Sequence, residues 1–409
     1  MLRVMFVGAI LVAVAVLWLP LLSELLSLIT RPRSVFRETR NPEPMPRLVF
    51  LVPAHDEELM IAGCVRSLLA MAYPQTHRRV VVIADNCSDA TARLAKEHGA
   101  ECFERFDADQ AGKPRAIAWA LSLIDLRQWD ACVIVDADSV VAPTFALGVA
   151  ALAPLNDIVF QPNNDVLNEF DNWLTRLGAL LGRCRFKVTY PLKQSARLNC
   201  PISNGMGIGT NLLIRHGWLS FSITEDTELY AIYTERGVTI RHAAAATVFS
   251  QEAGSLRQGA TQRRRWLAGR LRIIRDWGPR LLRSNNIGWR QKLDAFVELG
   301  LSGPVLHLAM TAFTVAAAVW SVGGKLGWWI AGFATGSLTG LVVTTFIAIA
   351  RHPQPVRTLA SFFMLPVYAV WRLMVVLRTV STLGDTTWRR TSRTPQPVAM
   401  ASPMAGQPR

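Results

Sequence analysis

Apolar and polar positions alternate in three regimes along this chain. Met1 to Ile29 is almost uncharged after Arg3, interrupted only by Pro20 and Glu24. Its stretch Val4 to Leu22 is long enough to cross a bilayer. The middle of the chain reads as globular. From about Phe296 the chain turns apolar again: Leu299–Val322 and Gly327–Ala350 read as a hairpin of two spans around Gly323-Gly324-Lys325. A further run, Leu359–Thr379, is broken at Pro366 and carries Arg372 and Arg378, so spanning and interfacial placements both stay open.

Between these ends, short β-branched runs alternate with helical periods, the signature of an α/β domain around a mostly parallel sheet. Arg47-Leu-Val-Phe-Leu-Val-Pro53 predicts a strand ending at His55-Asp56-Glu57-Glu58. A helix over Leu59–Met71 follows, with apolar residues at Ile61, Val65, Leu68 and Leu69. Val80–Ala84 predicts a second strand, closed by Asp85-Asn86-Cys87-Ser88-Asp89, with Ser88 as N-cap of the next helix. Glu101–Phe106 reads as a short strand, and Gly112-Lys113-Pro114 leads into a helix over Arg115–Ile124. Val133-Ile-Val then climbs to Asp136-Ala-Asp138-Ser139. Beyond it the reading is less regular. It gives a helix over Asn168–Phe186, a glycine-rich loop Asn204–Thr210, a helix opened by Thr224-Glu225-Asp226 with Thr224 as cap, and an arginine-dense helix over Ser255–Trp277.

Charge decides how the ends are placed. Only 18% of the 409 residues are charged, while 51% are hydrophobic, and the formal net charge is +14. The arginines border the apolar segments (Arg31, Arg33, Arg37 and Arg40 after the first, Arg290, Arg351 and Arg357 around the hairpin). That arrangement suits the anionic cytoplasmic face of a membrane better than nucleic acid. It makes the N-terminal segment an uncleaved signal anchor. A cleaved signal peptide would need the reverse charge bias and a shorter apolar core. The six cysteines form no Cys-x-x-Cys pair and no zinc spacing with histidine, and are read as reduced thiols of a cytosolic domain.

Three acidic clusters, at Asp56/Glu57, Asp85 and Asp136/Asp138, each fall just after a strand. In a parallel sheet they converge on one rim, where α/β folds bind ligands. Asp136 and Asp138, two residues apart at a strand end, can lean toward one hard cation. The competing reading of Asp-Ala-Asp-Ser is a polar turn after a buried strand.

Six pieces, in order, then match one family: Pro53-Ala-His-Asp-Glu-Glu58, Asp85-Asn-Cys-Ser-Asp89, Gly112-Lys113, Asp136-Ala-Asp138, Thr224-Glu-Asp226 and Gln262-Arg-Arg-Arg-Trp266. Residues 47–270 resemble the family 2 glycosyltransferases of the type A, Rossmann-like nucleotide-sugar fold, especially the membrane-bound cellulose, hyaluronan and chitin-oligosaccharide synthases. The resemblance implies that Pro53, Asp56, Glu57, Asp85, Lys113 and Asp136 bind the nucleotide sugar. It implies that Asp136 and Asp138 hold Mg2+ or Mn2+, and that Asp226 is the general base. Glu225, Gln262, Arg265 and Trp266 fall on the acceptor and diphosphate side. On a helix Gln262, Arg265 and Trp266 lie at i, i+3 and i+4, hence on one face. For Arg263 and Arg264, simple anchoring at the membrane is the expected role.

Two departures matter. The second acidic motif keeps only its first carboxylate, as Asp85-Asn86. The closing region offers two or three spans, so a polymer pore would need a second protomer or a secretion partner. The expectation is therefore an inner-membrane, cytoplasm-facing hexosyltransferase. It would take a sugar from a UDP-sugar to a growing β-linked exopolysaccharide, by inversion. Transfer of one sugar to a membrane lipid is the alternative, and a nucleotide-regulated transporter the distant one. No Gly-x-Ser-x-Gly elbow or His-Glu-x-x-His supports a hydrolase. The expected divisions are residues 1–40 (anchor and basic flank), 41–285 (catalytic domain), 286–385 (interfacial and membrane helices) and 386–409 (disordered basic tail).

Overall fold

The computed structural model describes residues 2–29, 42–300 and 303–380. The basic flank at Arg31, Arg33, Arg37 and Arg40 and the tail from residue 386 lie outside them. At the centre is an eight-stranded sheet: β1 Leu48–Ala54, β2 Arg78–Asp85, β3 Glu101–Arg105, β4 Ala131–Ile134, β5 Val140–Val141, β6 Val159–Val166, β7 Gly207–Gly209 and β8 Ile240–Ser250. Their order is β3-β2-β1-β4-β7-β6-β8-β5.

The first four strands run parallel, as the alternation of strands and helices predicts. Both faces of β1 are covered, so its residues are apolar almost throughout. Leu48, Phe50 and Val52 pack with Ile61, Val65 and Leu68 of the helix Ile61–Leu69. Val49 and Leu51 pack with Ile117 and Ala120 of the helix Lys113–Ser122 on the other side. Pro53 breaks no hydrogen-bond ladder. Its missing N–H points the way Leu51 points, toward β4, whose pairing with β1 ends at Ile134.

The other half corrects the expectation of a mostly parallel sheet. β7 runs antiparallel to both β4 and β6, and β5 antiparallel to β8, so the sheet is mixed. Three residues of the expected glycine-rich loop, Gly207–Gly209, form β7. A methyl on Gly207 would lie 1.9 Å from the Phe160 ring, and one on Gly209 would lie 2.2 Å from the Asn156 carbonyl oxygen. Gly207 lets β6 approach β7, and Gly209 lets the backbone of the turn at Asn156 approach. Gly207→Ala is expected to cost about 1–3 kcal/mol through overpacking, seen as a lower thermal unfolding midpoint.

Among the described residues, four helical segments are long and apolar enough to cross a membrane: Met5–Ile29, Pro304–Val322, Gly324–Ala350 and Pro355–Thr379. Leu299 belongs instead to a separate helix, Trp289–Gly300. Ile10, Val14 and Leu17 of the first segment pack with Ala318, Ile330 and Ala334, and Trp18 stacks on Phe333 at 4.6 Å. His307 is packed and bonded to Ser337 Oγ at 3.0 Å. Trp320, Trp328, Trp329 and Phe346 face outward. Pro366 sits in the first turn of Leu365–Val380, after a 3-10 stretch Ser361–Met364, so the break lies at a helical joint. From there Tyr368, Trp371 and Val375 pack on Leu174 and Leu177.

A buried ionic cluster joins the apolar segments to the sheet domain. Lys193 pairs with Asp294 and, at 3.0 Å, with Glu298; Arg185 reaches Glu298 at 3.1 Å. Ser23 Oγ of the first segment donates to Asp294 at 3.1 Å.

Candidate active site

The parallel register of β2, β1 and β4 brings Asp85, Asp56 and Asp136 to one rim. Asp85 is buried at the end of β2. Its carboxylate accepts from Arg105 Nη1 at 2.6 Å, Asn86 Nδ2 at 3.0 Å and the Gly112 amide at 3.0 Å. An ionised carboxylate offers about four acceptor sites, so about one more donor can be received. Gly112 holds φ +122°, a conformation that favours glycine. The turn it makes delivers the next residue, Lys113, across the rim.

Lys113 Nζ lies 2.7 Å from Asp136 Oδ1 and 2.8 Å from Glu225 Oε1. Burial disfavours its charge, but the Asp136 and Glu225 carboxylates outweigh that and raise its pKa, so the ammonium is held charged. This ties the end of β4 to the first turn of the helix Glu225–Glu235, a link between distant segments that no local pattern signals. Asp226 stands beside Glu225, half-buried. Burial raises its carboxyl first; the Glu225 charge adds and Lys113 opposes, leaving it pushed up to about 6.

The turn after β4 is clamped by Asn204, which sequence reading passed over. Its Oδ1 accepts from the Asp136 amide at 3.0 Å, and its Nδ2 donates to Ser139 Oγ at 2.8 Å. Ser139 Oγ in turn donates to the buried Asp138 Oδ1 at 3.0 Å. The pair Asp136/Asp138 therefore presents carboxylate oxygens from a fixed turn, a donor set that fits a hard divalent cation.

A second acidic group fits less well. Asp56, Cys87 and Asp89 bring ligand atoms within 4.8 Å of one another. However, Asp56 accepts from the Ser88 and Asp89 amides (2.7 and 3.3 Å), and Asp89 from the Glu58 and Thr91 amides (3.1 and 2.9 Å). The Ser88 amide holds the Asp56 carboxyl below its usual range, and burial pushes the Cys87 thiol up to about 11. A protonated thiol is a poor partner for a hard ion. The cluster locks two turns together. It also corrects the expected cap: Ser88 binds Asp56, and the helix Thr91–Glu97 starts from Asp89 and Ala90. Glu57 is half-buried beside them, its amide donating to Thr91 Oγ1 at 2.7 Å.

The arginine-dense helix spans Leu256–Arg283, longer than expected, with Ser255 Oγ capping through the Gln258 amide. Thr224 makes no cap bond. It is pressed against this helix instead: a methyl on Gly269 would lie 2.4 Å from the Thr224 side chain. Arg265 and Trp266, four and three residues before Gly269, lie about one helical turn along the helix from that contact, and Gln262 about two turns. Trp266 is 45% exposed, leaving an indole face available. Arg263 departs from the expected anchoring role. It is buried, paired with Glu252 at 2.7 Å and placed over the Trp371 ring at 5.4 Å. Gly269→Val is expected to force the two helices apart and to reduce activity more than it reduces the unfolding temperature, checked by comparing both in one preparation.

Comparison with known proteins gives a consistent picture. The family model described as glycosyltransferase-like family 2 matches residues 46–269, more than half of the chain. A probable glycosyltransferase, YdaM, of Bacillus subtilis (strain 168) is 26% identical over 275 residues, 60% of each chain. A beta-monoglucosyldiacylglycerol synthase of Trichormus variabilis is 30% identical over 152 residues, 36% of this chain and 31% of that protein. The chain thus spans less than two thirds of either relative, 60% of the first and 31% of the second. In fold, the mannosyltransferase PcManGT of Pyrobaculum calidifontis, solved with GDP-Man and Mn2+, superposes with a TM-score of 0.57 at 17% identity, covering 94% of this chain and 99% of that one. The sheet is that of a type A nucleotide-sugar transferase, and the chain belongs to the glycosyltransferase-like family 2.

Proposed function

We propose that this protein is an inverting, metal-dependent hexosyltransferase that moves a sugar from a UDP-sugar to an acceptor at the cytoplasmic face of the inner membrane. The observation that carries this is the linked set Asp136–Lys113–Glu225 with Asp226 beside it. Asp85, with about one acceptor site left, suits a uracil N–H. Asp136 and Asp138 would hold the divalent ion, which would supply charge neutralisation for the leaving diphosphate. Lys113, charged between two carboxylates, adds a point charge on the same side. Asp226 takes the proton of the acceptor hydroxyl as its oxygen bonds to the anomeric carbon and the bond to the diphosphate breaks. One displacement inverts the centre, so an α-linked donor gives a β-linked product.

For the acceptor we favour the growing end of a β-linked exopolysaccharide, because the exposed Trp266 indole offers a stacking face and Arg265 a fork for diphosphate. A membrane lipid is the second reading. It is supported by the partial likeness to a glucosyldiacylglycerol synthase and by the packing of the apolar Leu365–Val380 helix beside the acceptor side. Asp138→Asn is expected to lower transfer by about two orders of magnitude or more, in line with losing several kcal/mol of charge stabilisation. Chelation should abolish wild-type transfer, and added Mn2+ or Mg2+ should restore it. Transfer unaffected by chelator would remove the metal from the scheme.

A base raised to about 6 also fixes the pH dependence. Below that value Asp226 is protonated and cannot accept a proton. Turnover should therefore rise tenfold per pH unit below about 6 and level off above it. A flat profile from pH 5 to 8 would exclude Asp226 as the base.

A further inference from the structure

A cavity of about 360 Å3 opens where the helix Trp289–Gly300 begins, lined by Arg197, Leu198, Trp289, Arg290 and Gln291 among others. Its described lining holds two guanidiniums and no carboxylate, and the helix carries no acid in its first turn. Arg290 Nε and Nη2 are removed from water with no hydrogen-bond acceptor. Gln291, 9% exposed, accepts from the Asn199 amide at 2.8 Å, which fixes its amide group; its Nε2 has no acceptor either. Buried donors are seldom left unmet in a folded protein, so this set calls for an acceptor, which no described residue supplies. A helix N-terminus adds partial positive charge of the same sign.

The cavity's position indicates the source of that acceptor. Arg290 lies one helical turn before Asp294, which is bonded to Ser23 of the apolar segment Met5–Ile29. Beside it, Trp289 is 64% exposed, and Leu282 at the end of the preceding helix is exposed too. An exposed indole next to guanidiniums at the end of an apolar segment is the composition of a membrane interface. We propose that this cavity binds the phosphate of an anionic glycerophospholipid headgroup, with Arg290 as its main contact. A zwitterionic headgroup would bring its own cation against the Arg290 guanidinium and bind poorly.

The test uses the full chain, purified and stripped of lipid in a non-ionic detergent. Native mass spectrometry and thermal unfolding are followed while phosphatidylglycerol, phosphatidylcholine or inorganic phosphate is added. One saturable phosphatidylglycerol adduct that raises the unfolding temperature is expected, with little effect of phosphatidylcholine. Arg290→Gln should weaken that adduct by roughly tenfold to a hundredfold, the worth of a charge-assisted hydrogen bond. Arg290→Lys should fall between. Trp289→Ala, whose side chain is exposed, should also weaken it and serves where Arg290→Gln does not fold. Unchanged lipid retention in these variants overturns the proposal. So does inorganic phosphate binding as tightly as the lipid, which would make this a site for free phosphate. Since binding alone is read, the outcome is independent of whether the chain transfers a sugar.

Discussion

Asp226→Asn is expected to reduce sugar transfer by about 10²–10⁴-fold, the usual worth of a positioned general base. The substitution keeps the shape and removes the proton acceptor. It also removes a negative charge next to Glu225 and near Lys113, so donor binding should be retained or slightly strengthened. The signature is therefore a fall in kcat with little change in the donor KM, measured by steady-state kinetics together with calorimetric titration of the nucleotide. A protein that binds nucleotide only for regulation would show no such split. Loss of donor binding in the same variant would assign Asp226 to the nucleotide site instead.

The largest effect on stability is expected at Lys193, far from any sequence motif. Its ammonium is buried between Asp294 and Glu298, where the sheet domain meets the first apolar segment. Lys193→Met leaves two buried carboxylates with less compensation, Arg185 still reaching Glu298. Removing one partner of such a buried group costs about 3–5 kcal/mol. A clear drop in unfolding temperature in nanodiscs is expected. Asp294→Asn in the same chain should recover part of it, because the two sites share a contact and their effects do not add. Additive losses would show that the pair contributes no coupling.

Much of the first half of the fold was legible because its strands are buried on both faces and its helices are amphipathic. Leu48–Val52 and Val80–Ala84 can hardly be read as anything else. β6 escaped notice for a physical reason. Its Gln161 and Asn163 are buried but satisfied by side-chain amide bonds to Ser203, Asn204, Ala244 and His242, so no hydrophobic period marks it. β7 escaped because close approach demands glycine, and glycine in sequence reads as a loop. β8 is interrupted by a register shift opposite Pro162 and Asn163, which breaks its alternation.

Within the site, the acids after β1, β2 and β4 were legible from strand ends. Their division of labour was not. That Asp56 is taken up by the Ser88 turn, that Arg105 holds Asp85, and that Lys113 bridges Asp136 to Glu225 all depend on contacts between segments 20 to 112 residues apart. Gly269 is the same kind of case. Nothing in the sequence Ala268-Gly269-Arg270 shows that Thr224 fills the space beside it.

The most direct test is transfer itself. Purified protein in nanodiscs, with Mn2+ or Mg2+ and a panel of radiolabelled nucleotide sugars, is assayed beside Asp226→Asn and Trp266→Ala, and the products are separated by size and by partition into organic solvent. The account predicts metal-dependent, β-linked product from a UDP-sugar, abolished by Asp226→Asn. A ladder of long chains that shortens in Trp266→Ala would place the acceptor as a polysaccharide, and a single sugar on lipid would place it as a lipid. Product formed equally well by Asp226→Asn, or none from any donor with metal and extracted lipids present, would contradict the central claim.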